Sequence, residues 1–243
     1  MNKLVYVLMA YLVGVNVISS QSQSQTQTED VYTVIPYNAA SKKLNFIYVD
    51  TGAIYRTVAY FFDLWGVSPK DVDGVERYID ELTIGIEYDE EGLQHMIMNG
   101  MDVTDDIRTQ DISQKASLVS AHAVVRDVLL DMQRDVAKEY DVIMDGRDIG
   151  TVIMPQAEVK VFMTATLPAR ARRRYLELQG KGMSVSYEEV LADMEARDKN
   201  DRERETAPCV PADDAVLFVN DDYGVEESAD YIISLMRKAA EEK

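Results

Sequence analysis

The apolar run Val142-Ile143-Met144 ends abruptly in Asp145-Gly146-Arg147-Asp148-Ile149-Gly150-Thr151. No other feature constrains the fold as tightly. Consecutive apolar residues without polar alternation suit a strand buried on both faces, and the glycine after Asp145 lets the chain turn where the strand stops. In open α/β sheets ligands bind at the carboxyl ends of the strands, so two acids and an arginine at this junction are candidates for chemistry. A second junction of the same kind is Phe46-Ile47-Tyr48-Val49-Asp50-Thr51-Gly52-Ala53-Ile54-Tyr55-Arg56. A third segment, Arg197-Asp198-Lys199-Asn200-Asp201-Arg202-Glu203-Arg204, gathers three arginines and two aspartates within eight residues.

Periodicity between these segments predicts a mostly parallel α/β sheet covered by helices. Strands are expected at 46–49, 141–144, 159–163 and 215–219, and helices at 51–65, 71–82, 168–179, 187–204 and 226–240. A helical pattern also covers 109–138. Thr51 is the expected N-cap of the helix it opens. Between residues 82 and 100 the pattern alternates, turns at 89–92 and runs back to Asn99-Gly100, a small antiparallel insert.

The chain has 243 residues and a net charge of −18, enough length for one α/β domain with an insert and the wrong charge for a nucleic-acid partner. The single cysteine, Cys209, permits no internal disulfide, and with two histidines it supplies no zinc set. The N-terminal segment 1–39 is atypical. Residues 4–18 carry no charge and follow Lys3, like the core of a secretory signal, but are short for a membrane span. A Gln/Ser/Thr tract follows at 21–28. The remainder, 40–243, reads as one α/β domain with an insert at about 68–108 and a helical lid at about 180–208.

In this order and spacing, the three segments resemble bacterial cytidylate kinase, of the nucleoside monophosphate kinase family, from about Ala40 to the C-terminus. The resemblance implies transfer of the γ-phosphoryl group of ATP to CMP or dCMP in pyrimidine metabolism, with Mg²⁺ accompanying ATP. A cytoplasmic monomer with no membrane contact is expected, although the signal-like N-terminus conflicts with that location. Such chemistry needs positioning and charge cancellation, for which arginine's planar fork suits phosphate. By resemblance, Thr51, Tyr55 and Arg56 bind the acceptor, with Arg56 on its phosphate. Ser117, Arg126 and Asp148 read the cytosine edge. Arg147 and Arg204 clamp phosphate, Asp201 organises the sugar or phosphate site, and Arg197 belongs to the lid. Arg147, Asp148, Arg197, Asp201 and Arg204 form the implied catalytic set. The run 197–205 has an ordinary reading too, alternating charges on a solvated helix, but Thr206-Ala207-Pro208 follows it as in the family.

On the donor side, the resemblance implies arginines of the segment 170–174 near the adenine, chiefly Arg170 and Arg173. Here the chain departs from the pattern. The family opens with a strand and a Gly-x-x-Gly-x-Gly-Lys-Ser/Thr loop whose amides and lysine cradle the donor phosphates. The lysine's place falls at Thr33, and Gly14 is the only glycine before Gly52. Pro36 opposes a helix continuing through that point. The alternative expectation is therefore a CMP-binding protein impaired in transfer because the loop is absent.

Overall fold

A computed structural model describes residues 5–10, 36–180 and 182–242. In chain order these form β1 (Val5–Ala10), α1 (Pro36–Leu44), β2 (Ile47–Asp50), α2 (Thr51–Leu64) and α3 (Val72–Tyr78). An antiparallel sheet follows, β3 (Ile84–Tyr88), β4 (Gln94–Met98) and β5 (Met101–Asp102), then α4 (Gln110–Val119) and α5 (Ala123–Glu139). The rest comprises β6 (Val142–Gly146), β7 (Val159–Thr164), α6 (Leu167–Gly180), α7 (Tyr187–Glu203), β8 (Val216–Val219) and α8 (Val225–Glu241). The main sheet has the order β2-β6-β1-β7-β8, and all its neighbours are parallel.

Both sheet faces are buried, as expected of parallel strands joined by helices. Successive side chains of a strand point to opposite faces. Ile143 of β6 and Val161 and Met163 of β7 accordingly pack with Tyr37 and Ala40 of α1 and Ile232 and Met236 of α8. Val142 and Met144 join Phe162, Ala137 of α5 and Cys209 on the other face. A further core joins α2, the insert, α4 and α5 through Ile54, Phe61, Phe62, Met96, Ile107 and Leu129. A smaller one joins α6 to α7 through Ala171, Leu178, Val190 and Met194.

The division of the chain at residue 39 does not follow the fold. Val5–Ala10, the start of the signal-like run, is the middle strand: Tyr6 registers with Ile143 on one side and Val159 on the other. Its apolar residues are what a central parallel strand requires. Pro36 opens α1 instead of blocking a helix, because the amide it lacks would be unpaired at a first helical position. The rest of the signal-like run, the Gln/Ser/Thr tract and Thr33 lie outside the described residues.

Two other sequence expectations are corrected in detail. Asp50, not Thr51, caps α2, its carboxylate accepting from the Ala53 amide at 2.9 Å. The pattern over 109–138 is two helices, broken at Ser120-Ala121-His122, where the Ser120 carbonyl accepts from Arg126 at 3.0 Å. The chain after Asp148 makes a π-helical turn, Ile149–Ile153. In the insert, Asn99 (φ 48°) and Gly100 (φ 80°) both adopt the left-handed conformation of a tight turn between β4 and β5.

Candidate functional site

The carboxyl ends of β2 and β6 open into a cleft of about 790 Å³, walled by α2, the insert, α4, α5 and α7. Asp50 and Asp145 are register partners at its floor. Thr51 donates its hydroxyl to the Asp145 carbonyl at 2.6 Å, tying the two strand ends together. Gly146 must be glycine there, since a Cβ would collide with Thr51 Oγ1 and the Ile149 side chain. Burial and the charge of Asp50 push the Asp145 carboxyl up to about 7, and its Oδ1 is buried without a hydrogen-bond partner. For Asp50 burial acts the same way, but Arg56, with Nη2 at 2.8 Å, the Ala53 amide and Arg108 together outweigh it and hold the carboxyl below its usual range.

One wall is built around Asp201 of α7. Its carboxylate accepts from Arg147 Nε at 3.0 Å and from the Ser117 hydroxyl at 3.1 Å. Arg197 and Arg204 lie 4.0 and 3.9 Å away. Burial would raise Asp201, but the three arginines overcome it and hold the carboxyl low. The crowding acts on the cations as well. Burial and the neighbouring Arg147 push Arg197 down to about 10, while burial and Arg126 lower Arg204. Arg56 Nε, Arg197 Nε and Arg204 Nη2 are buried without a hydrogen-bond partner. One carboxylate and Asp50 do not neutralise four arginines, so this wall carries excess positive charge.

Next to this cluster stands Arg126 of α5, 7% exposed, whose guanidinium donates to the Asp148 carboxylate and to the carbonyl of Ser120, whose hydroxyl accepts from Arg204. Arg126 also sits 5.4 Å over the Tyr55 ring. The Tyr55 hydroxyl is pushed up to about 12 by burial and remains a neutral phenol.

Thus Thr51, Tyr55, Arg56, Ser117, Arg126, Arg147, Asp148, Arg197, Asp201 and Arg204 all line one cleft. Arg170 and Arg173 do not. Arg170 is 3% exposed, bonded through Nη1 and Nη2 to Asp198 and through Nε to the Ala165 carbonyl. Arg173 caps the chain after β8, donating to the Asn220 and Asp221 carbonyls at 2.7 and 2.8 Å. Both guanidinium groups bond within the fold, and neither lines this cleft. Of that segment it is Arg174 that reaches the cleft. Sequence reading also missed Arg108, which lines the cleft from the insert; no local pattern distinguishes it from its polar surroundings. Gln94 was missed as well. Its side chain clamps both the amide and the carbonyl of Asp50, at 2.8 and 3.2 Å.

A parallel sheet with an arginine-lined cleft at its carboxyl edge and an antiparallel insert beside it defines a nucleoside monophosphate kinase-like α/β protein. The family model for cytidylate kinase matches residues 36–238. The cytidylate kinase of Carboxydothermus hydrogenoformans is 44% identical over 187 residues, covering 77% of this chain and 84% of its own. That of Geobacter sulfurreducens is 44% identical over 196 residues, covering 81% and 84%. That of Bacteroides fragilis is 37% identical over 203 residues, covering 82% and 89%. The chain belongs to the cytidylate kinase family and is by family a kinase, using ATP and a nucleotide acceptor.

Proposed function

We propose that this protein transfers the γ-phosphoryl group of ATP to CMP or dCMP, acting as a monomer. The observation that carries the reading is the joining, in one cleft, of the arginine cluster around Asp201 with the buried Arg126–Asp148 pair. Arg56, Arg147, Arg197 and Arg204 hold the monophosphate, the partnerless nitrogens of three of them serving its oxygens. Asp201 keeps these cations spaced while the cleft is empty. Asp148 and the Ser117 hydroxyl accept from the cytosine amino group, and Arg126 donates to its ring acceptors. Uracil, with donor and acceptor exchanged, would leave these buried groups unpaired, which disfavours it. A phosphate oxygen of the bound nucleotide forms a bond to the γ-phosphorus as the bond to the bridging oxygen of ADP breaks. The arginines cancel charge on the transferred group.

Asp50 and Asp145 suit a hard divalent cation, since Mg²⁺ takes one or two carboxylates together with substrate phosphates. The partnerless Asp145 Oδ1 beside a second carboxylate is the feature that fits. When bound there with ATP, Mg²⁺ supplies charge neutralisation for the donor phosphates. Among the described residues, no helix is long and apolar enough to cross a membrane. The reading of an impaired CMP-binding protein rests on residues outside those described, and family membership favours the enzyme.

Calorimetry with CMP and UMP tests the proposal. CMP is expected to bind at least 10-fold more tightly, about 1.4 kcal/mol. Equal affinity for the two, or none for either, overturns the base-reading assignment.

A further inference from the structure

The contact between α4 and α7 is polar along its length. On α4 and its cap, Gln110, Gln114, Ser117 and Ser120 recur at helical spacing, and on α7 and its cap so do Asp193, Arg197, Asp201 and Arg204. The rungs connect in order. Asp193 accepts from the Gln110 and Gln114 side-chain amides at 2.8 and 3.1 Å. The Asp201 carboxylate accepts from the Ser117 hydroxyl at 3.1 Å, and Arg204 Nη1 donates to the Ser120 hydroxyl at 3.0 Å. At 1.5 Å per residue the two stripes rise by about 15 and 17 Å, so they stay in step over three turns.

The inner rungs border the cleft. The outer one does not: Gln110, Gln114 and Asp193 are absent from its lining, and Asp193 and Gln114 are exposed. On its other side α7 is held to α6 by a small apolar cluster. A helix docked on one side by hydrogen bonds that water can replace separates there far more cheaply than one docked by a continuous apolar core.

We propose that Asp193 is a positioning residue: with Gln110 and Gln114 it forms the outer latch that holds α7 on α4. In that position Arg197, Asp201 and Arg204 stay over the acceptor. The proposal rests on the acceptor-site reading for its effect on nucleotide, but the latch itself is a property of the nucleotide-free protein. Both amides bond the same carboxylate oxygen of Asp193, so an asparagine, which keeps one carbonyl oxygen, retains the latch.

Two measurements separate these levels. Amide hydrogen exchange of the nucleotide-free protein is expected to rise severalfold over the first half of α7 in Asp193→Ala and to stay near wild type in Asp193→Asn. Alanine is the better helix former of Ala and Asp, so a rise cannot come from intrinsic propensity. Unchanged exchange in Asp193→Ala overturns the latch. For CMP, Asp193→Ala is expected to weaken binding roughly 3- to 10-fold, mostly through faster dissociation, as for loss of a gating contact, with Asp193→Asn within twofold of wild type. A lowered melting temperature with unchanged CMP affinity makes the residue merely structural and also overturns the proposal. A wild-type protein that does not prefer CMP to UMP discards the site reading instead, and the exchange result alone then decides the latch.

Discussion

Two buried arginine–aspartate pairs, Arg126–Asp148 and Arg170–Asp198, have the same chemistry and nearly the same exposure. They stand on opposite sides of the cleft's function. Arg170 uses all three of its nitrogens within the fold, fastening the start of α6 to α7 behind the cleft. Arg126 and Asp148 present their pair to the cavity, against Tyr55 and beside Ser117. A buried ion pair is thus weak evidence of a binding role; what distinguishes the two is whether a cavity adjoins the pair. The proposed acceptor site is assembled from such cavity-facing groups. Arg170 and Arg173, read from the sequence as donor-side residues, bond within the fold.

The strongest test of that contrast is Arg170→Ala. Removing one partner of a buried pair costs about 3–5 kcal/mol, so urea denaturation should show a loss of that size, with CMP affinity little changed in the protein that remains folded. A large loss of CMP binding without loss of stability would erase the contrast. Next in size, the donor side is open to repair. Replacing residues 11–35 by a glycine-rich loop ending in Gly-Lys-Ser keeps β1 and α1 and should raise ATP:CMP turnover by about 10²-fold or more, the scale of restored charge stabilisation. CMP affinity should stay unchanged. No gain in turnover would overturn this prediction and leave the donor phosphates to residues already in the chain. Lys43 is a poor substitute for the loop's lysine, since it bridges Glu226 and Asp230 of α8.

Arg126→Ala should weaken CMP by about 1–3 kcal/mol, the scale of lost charged hydrogen bonds, and should narrow the CMP-over-UMP preference. Calorimetry that finds weaker binding with the preference intact would assign Arg126 to the phosphate, not the base. The smallest effect is the pH dependence of Asp145. Its folded carboxyl titrates near 7, above the ordinary value of 3.8, so the folded state holds a proton that the unfolded state releases. Its unfavourable contribution therefore grows as pH rises from about 4 through 7 and is full above that. Asp145→Asn should accordingly raise the melting temperature at pH 8, the gain shrinking toward pH 4. A gain independent of pH would place the benefit in packing.

Much of the site was legible because its residues sit in short dense segments at strand ends. The run 145–148 and the segment 50–56 announce themselves by an apolar strand stopping at charged residues. Ser117 and Arg126 carry no such local signal and were reached through family resemblance; on their own each reads as a solvated helix residue. Arg108 and Gln94 were missed because their role depends on where the insert folds relative to β2, a distance along the chain of more than forty residues for Gln94 and Asp50. Arg170 and Arg173 were assigned to the donor because a cluster of arginines at a helix start looks alike whether its guanidinium groups meet a ligand or a carboxylate.

From the sequence alone came the α/β class, the strand ends that carry charge, the antiparallel insert and the gathering of arginines near strand ends. These follow from periodicity and residue chemistry, which act over a few residues. Only the tertiary structure decided that Val5–Ala10 is the middle strand and that Asp50 caps the helix expected to begin with Thr51 as its cap. It also decided that Arg174 and Arg108 face the cleft. In each case the choice lies between partners distant in sequence, and burial and hydrogen-bond satisfaction across the assembled core select among them.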